Sequence, residues 1–246
     1  MLSKKIDWQL IVLVCSLIII MIMGVRQSLG LFLEPISQFM KDGKEFFSFA
    51  IGFRDSIWGV VTFGLGILID RFGPQKVLAF GIICFASGIF LMSNPDNQVT
   101  LFSATSLMGF GLGGAGMATM VSIAGKVAPP EKRSFAMGLI AAAASFGQFA
   151  VVLPTMWMNK TFGWETSLIV LSIITISMLI LLPLLNNTDE KVIQNDKFGN
   201  ELRDTLLFSL KERDYILLIM GFFVCGFHVT FIGLHLPADL MFKGIS

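Results

Sequence analysis

Seven long apolar runs dominate the chain, and they fix the solvent in which it can fold. Trp8–Leu33, Phe46–Ile69, Gln75–Met92, Val99–Val127, Ser134–Met158, Trp164–Leu185 and Asp214–Phe242 each approach or exceed the roughly 20 residues a helix needs to cross a bilayer. With 54% hydrophobic and 14% charged residues and a mean hydropathy of +0.78, the chain is too apolar for a water-soluble domain. Barrel strands do not fit, because they need only about 10 residues of alternating pattern. The expected fold is all-α and integral to the membrane.

The first run reads as a retained helix and not as a cleavable signal peptide. Leu10–Val25 is longer than the apolar core of about 7–15 residues such peptides carry, and no small-x-small pattern ends it cleanly. Cys15, Cys84 and Cys225 all fall inside apolar runs and read as small core residues, with no disulfide or metal set. No cofactor is expected. A formal net charge of +1 carries no signal for nucleic acid. Basic residues divide unequally between the two sets of loops: Lys4, Lys5, Arg71, Lys76, Lys126, Lys132, Arg133 and the segment Asn186–Arg213 against Lys41, Lys44, Lys160 and Lys243. The positive-inside rule therefore places the amino terminus in the cytoplasm and the loop around Asp42 outside.

Between the second and third runs lies Gly66-Ile67-Leu68-Ile69-Asp70-Arg71-Phe72-Gly73-Pro74-Gln75-Lys76. Asp70 closes one run, Gly73 turns the chain, and Lys76 opens the next. This stretch resembles the G-x-L-x-D-R-x-G-x-x-K/R loop between helices 2 and 3 of major facilitator superfamily transporters, with Pro74 and Gln75 replacing basic residues. The resemblance implies that Asp70 and Arg71 take part in gating, holding the cytoplasmic sides of the two halves together. It also implies a twelve-helix layout in two halves around a central cavity. On that layout residues 1–185 are the six-helix amino-terminal domain, 186–213 the central cytoplasmic loop, and 214–246 the first helix of a truncated second domain. The stretch Leu202–Leu210 within the central loop is amphipathic.

Small residues mark where helices must touch. The fourth run carries Gly109, Gly111, Gly113, Gly114 and Gly116, and the fifth carries Gly138, Ala141–Ala144 and Gly147. In lipid, close backbone approach is the physical use of such rows. A phosphate-cradling glycine loop is disfavoured, since no strand precedes Gly109. Thr105 or Leu107 stands where the superfamily's fourth helix carries an Arg. Gly147-Gln148 stands where its drug–proton antiporters carry Gly-Pro, so the multidrug branch is disfavoured.

Charged side chains at mid-membrane cost at least about 2.5–3.5 kcal/mol each, so each needs a partner or a task. Three stand out: Arg26, Arg54 and Asp55. Counted from the outer ends of their runs, both arginines lie roughly 11–12 Å deep, at one level on antiparallel helices. One reading is an internal network in which Asp55 neutralises one arginine. The other is an anion site, because two cations face one anion and the planar guanidinium fork suits a carboxylate.

The segment Gly24–Pro35 resembles the first helix of the monocarboxylate-transporter-like and oxalate–formate-antiporter-like branch. Gly221–His228 with His235-Leu236-Pro237 resembles that branch's seventh helix. The branch implies transport of small organic anions, often with a co-transported proton, by alternating access. Arg26, Arg54 and His228 are the candidate substrate-binding residues. Asp55, Asp70, Arg71 and His235 are candidates for gating or proton coupling. A histidine near mid-membrane can titrate near neutral pH, although such a side chain often only bonds a neighbouring helix. Asp239 follows His235 at i+4, and Pro237 is expected to bend the helix.

The expected function is thus secondary active transport of a small anionic solute across the cell's inner (plasma) membrane. The alternatives are a carrier of another small solute, or an inactive or incomplete fragment, since five further helices would complete the layout after Ser246. A membrane enzyme is disfavoured: His228 and His235 at i, i+7 with no carboxylate between them make no nucleophile–base pair or metal set.

Overall fold

The computed structural model describes residues 7–40, 43–188 and 211–243, and its ordered elements are all helices. The chain divides into two compact units, Met1–Val192 and Ile193–Ser246. In the first unit the helices are α1 (Trp8–Met40), α2 (Gly43–Phe72), α3 (Pro74–Met92), α4 (Gln98–Val127), α5 (Pro130–Phe162) and α6 (Trp164–Leu185). In the second is α7 (Arg213–Phe242). Among the described residues six helices are long and apolar enough to cross a membrane: α1, α3, α4, α5, α6 and the Arg213–Leu236 part of α7. The predicted second run lies within α2, whose 30 residues span about 45 Å. The Leu202–Leu210 stretch lies outside the described residues.

Helices 1 and 2 extend further than their apolar runs. Past Ser28 the chain tightens into a 3-10 stretch over Leu29–Phe32, then resumes α-helix from Leu33 to Met40. Pro35 is tolerated because it falls in the first turn of that resumed segment, where its missing N–H costs least. Counted from the true helix ends, Arg26 and Arg54 therefore lie about 16–21 Å inward, deeper than the apolar runs implied. Helix 4 is also broken: α-helix runs from Gln98 to Ala115, Gly116 is extended (φ −83°, ψ −168°), and helix resumes from Met117 to Val127.

The predicted turn at Gly73 is present. Its φ of 87° lies in the left-handed region where a side chain is strained, its N–H closes on the Ile69 carbonyl at 3.0 Å, and Pro74 starts α3. The side-chain amide of Gln75 donates to the Leu182 carbonyl at 2.9 Å, tying the start of α3 to the end of α6, where Met178–Thr188 winds as 3-10 around Pro183.

Within the first unit α1 packs on α5, α4 packs on both α2 and α3, and α3 packs on α6. Glycines set several of these contacts. A methyl on Gly24 would enter Val151 of α5, and one on Gly147 would enter the Ile20 backbone of α1. A methyl on Gly113 would stand 2.8 Å from Val61 of α2, and one on Gly114 would stand 2.8 Å from the Gly81 Cα of α3. The core is aliphatic and aromatic, with Ile18, Ile19, Ile22, Phe32, Phe47, Phe85 and Leu112 fully buried or nearly so. Large apolar side chains such as Val60, Phe146, Phe149 and Ile180 point outward, as a lipid-facing surface allows.

Candidate functional site

Helices 1, 2 and 4 bring the three predicted intramembrane charges together. Asp55 is shared by the two arginines. The Arg54 guanidinium donates from Nε and Nη2 to Asp55 Oδ1 at 2.9 and 2.7 Å, while Arg26 Nη2 stands 3.8 Å from Asp55 Oδ2. Residues i and i+1 on a helix do not face each other, so the first pairing relies on the long arginine stem curling back around α2. Antiparallel packing brings Arg26 in from α1.

The cluster is largely buried, with the Arg26 and Asp55 side chains 10% and 20% exposed. Arg54 is 2% exposed, and its Nη1 has no hydrogen-bond partner among the described residues. Gly109 of α4 presses on the backbone here, since a methyl at Gly109 would stand 2.8 Å from the Arg54 carbonyl oxygen. Toward the Gly43 end of α2, at its seam with α4, Phe46, Phe49 and Phe53 set their rings around Phe102 with centroids 5.3, 5.7 and 5.4 Å away. The cluster thus holds two guanidinium groups on one carboxylate, inside an apolar frame where unmatched charge is costly.

Trp58, one turn along α2 from Asp55, was not among the sequence candidates. The Arg26 guanidinium lies over its ring, with Cζ 4.9 Å from the centroid. Asp55 and the indole face both hold the Arg26 guanidinium, the one by charge and the other by its ring quadrupole. The i, i+3 spacing of Asp55 and Trp58 was the available signal.

Asp70 and Arg71 end α2 at the Gly73 turn, and their side chains lie outside the described residues. His228 and His235 belong to the second unit. The Nδ1 of His228 lies 3.1 Å from its own helix's Val224 carbonyl, and the His235 ring packs 4.9 Å from the Phe231 ring. Asp239 does not turn back to His235. It accepts from Lys243 Nζ at 2.7 Å, because the ammonium one turn on is the stronger partner. Helix α7 continues through Pro237. Among the described residues no group of three or more His, Cys, Asp or Glu could hold a metal ion.

An all-helical chain of bilayer-crossing length, a helix-2–3 turn on Gly73 and a charged cluster held inside the bundle define a membrane carrier architecture. The chain belongs to the major facilitator superfamily, whose family model matches residues 16–244. Its relatives are transporters or efflux proteins by name. It is 25% identical to an uncharacterized transporter of this superfamily from Bacillus subtilis strain 168, over 90% of this chain and 55% of that one. It is 26% identical to the agnestins efflux protein of Paecilomyces divaricatus, over 72% of this chain and 38% of the relative. It is 24% identical to a B. subtilis protein whose name assigns it niacin and nicotinamide, over 75% and 46%. The chain spans about half the length of the relatives it matches or less.

Proposed function

We propose that the chain forms the amino-terminal six helices and the seventh helix of a secondary active transporter that carries a small organic anion by alternating access. The observation that carries this reading is the Arg26–Asp55–Arg54 cluster, in which two guanidinium groups converge on one carboxylate inside the bundle. A third party with negative charge would balance it, and the planar guanidinium fork of Arg26 suits a carboxylate. The relatives' names cover an efflux protein and a carrier of niacin and nicotinamide, so the choice of an anion rests on the arginines and on the monocarboxylate-like helix 1 segment. On this reading Asp55 holds the arginines in place between transport events, His228 and His235 serve proton coupling or binding, and Asp70 and Arg71 gate the cytoplasmic side.

The test is binding and uptake by the complete natural protein in proteoliposomes, with small monocarboxylates, dicarboxylates and neutral analogues. Arg26→Lys keeps the charge and loses the fork, so carboxylate affinity falls. Arg26→Ala falls further, by about 2–5 kcal/mol when the ligand charge is left buried and unpaired. In the same assay Asp70→Asn keeps binding and loses transport. Equal affinity for charged and neutral ligands, or full uptake by Arg26→Ala, would show that the arginine serves the fold alone.

The proposed membrane orientation has the amino terminus and residues 186–213 in the cytoplasm of a cell with this protein in its plasma membrane. A cysteine at Asp42 then reacts with an impermeant reagent in intact cells, and one at Asn195 does not. The reverse labelling pattern overturns the orientation.

A further inference from the structure

Helix 4 stops and restarts at Gly116, and the restart leaves hydrogen-bond donors without acceptors beside the arginine cluster. Met117, Ala118 and Thr119 form the first turn of the Met117–Val127 segment, where backbone N–H groups have no intrahelical partner and the helix presents its positive end. A methyl at Gly116 would run into the Leu112 carbonyl, so this conformation requires the glycine.

Two side chains at the break share that unmet demand. The Thr119 hydroxyl is fully buried and has no partner among the described residues. Elsewhere in the bundle such hydroxyls bond the carbonyl four residues back, as Thr155 does to Val151 at 2.8 Å and Thr175 to Leu171 at 2.7 Å. For Thr119 that carbonyl belongs to Ala115, across the break, so the local solution is lost. Side chains on a helix lean toward its amino terminus, which aims the hydroxyl back at Gly116. The second is Trp58: its Nε1 would lie 3.5 Å from a Gly116 methyl, and the indole N–H has no hydrogen bond to any described residue. The face of the same indole carries Arg26.

We infer that the Gly116 break is a second polar subsite, in which Trp58 Nε1–H, the Thr119 hydroxyl and the first-turn amides receive an acceptor oxygen of a ligand whose carboxylate is held at Arg26. The inference rests on the carboxylate reading above and narrows it to short carboxylates bearing a second, uncharged acceptor, such as oxo-acids. The indole joins the two subsites, its face orienting the guanidinium and its N–H turned to the break. All groups on the restart side are donors or a hydroxyl, which favours a carbonyl over an amine or a hydrocarbon end.

The test compares pentanoate with 2-oxopentanoate and 4-oxopentanoate on the complete natural protein, as competitors of transport and in direct binding. Pentanol serves as the uncharged control. In the native protein at least one oxo-acid binds about three- to tenfold more tightly than pentanoate, the worth of one or two hydrogen bonds. Trp58→Phe keeps a ring under Arg26 and loses the N–H, and Thr119→Val keeps the shape and loses the hydroxyl. In each the oxo-acid-to-pentanoate ratio falls toward one. A native protein with no preference overturns the subsite, as do variants that weaken both acids and keep the ratio, which would mark a structural role only. Either result leaves the arginine reading standing when pentanoate outcompetes pentanol. If pentanoate binds no better than pentanol, the arginine reading fails and the subsite falls with it.

Discussion

The first three helices and the next three are built on the same plan and filled with different chemistry. In each trio the third helix starts from a left-handed glycine, Gly73 before α3 and Gly163 before α6, with φ of 87° and 83°. In each the first helix is interrupted, α1 by the 3-10 stretch Leu29–Phe32 and α4 by Gly116. Each first helix packs on the second helix of the other trio, α1 on α5 and α4 on α2. This is the relation expected of an inverted repeat within one half of the superfamily fold. Yet Arg26, Arg54 and Asp55 all sit in the first trio, while the interiors of α4, α5 and α6 carry no charged residue. The first trio makes its polarity from side chains. The second makes it from backbone, by opening α4 at a glycine, and Trp58 lies where the two meet.

The largest expected effect comes from removing Asp55, the carboxylate that Arg26 and Arg54 share. Asp55→Asn leaves two guanidinium groups facing each other in a largely buried frame, and breaking a buried pair in this way costs about 3–5 kcal/mol. The variant should melt well below the native protein in detergent and yield little folded material. Combining it with Arg54→Gln removes one of the stranded cations and should restore much of the stability. A double variant no more stable than Asp55→Asn would mean that the cluster is not a coupled unit, and the contrast between the trios would lose its electrostatic meaning.

The contrast also marks what could be read before folding. Apolar runs of bilayer length gave the helical membrane class directly, because only helices and closed barrels span lipid and runs this long are not barrel strands. The convergence of Arg26 and Arg54 on Asp55 followed from counting residues along antiparallel helices. That arithmetic survived an error in the helix ends, since α1 and α2 were lengthened on the same side. Gly73 was legible because a short turn between two helices demands a left-handed residue. The break at Gly116 was not. Five glycines between 109 and 116 all suit close packing, and nothing local says which one leaves the helix. Asp239 pairs with Lys243, although His235 stands at equal spacing on the other side, and the choice between them is one of charge.

The smallest effect separates glycines that pattern alone makes equivalent. Gly138 and Gly147 both lie in the small-residue row of α5, and that row reads as a single contact surface. In the structure a methyl at Gly147 would enter the Ile20 backbone, whereas one at Gly138 meets nothing within 4 Å. Backbone cannot retreat as a flexible side chain can, so Gly147→Ala must push α5 off α1 at a cost of about 1–3 kcal/mol. Gly138→Ala enters open space and should change stability by no more than about 0.5 kcal/mol. Thermal unfolding of both variants in the same detergent reads the difference. Equal shifts would mean that α1 and α5 do not meet at Gly147, and with that contact would go the pairing that makes the two trios repeats of one another.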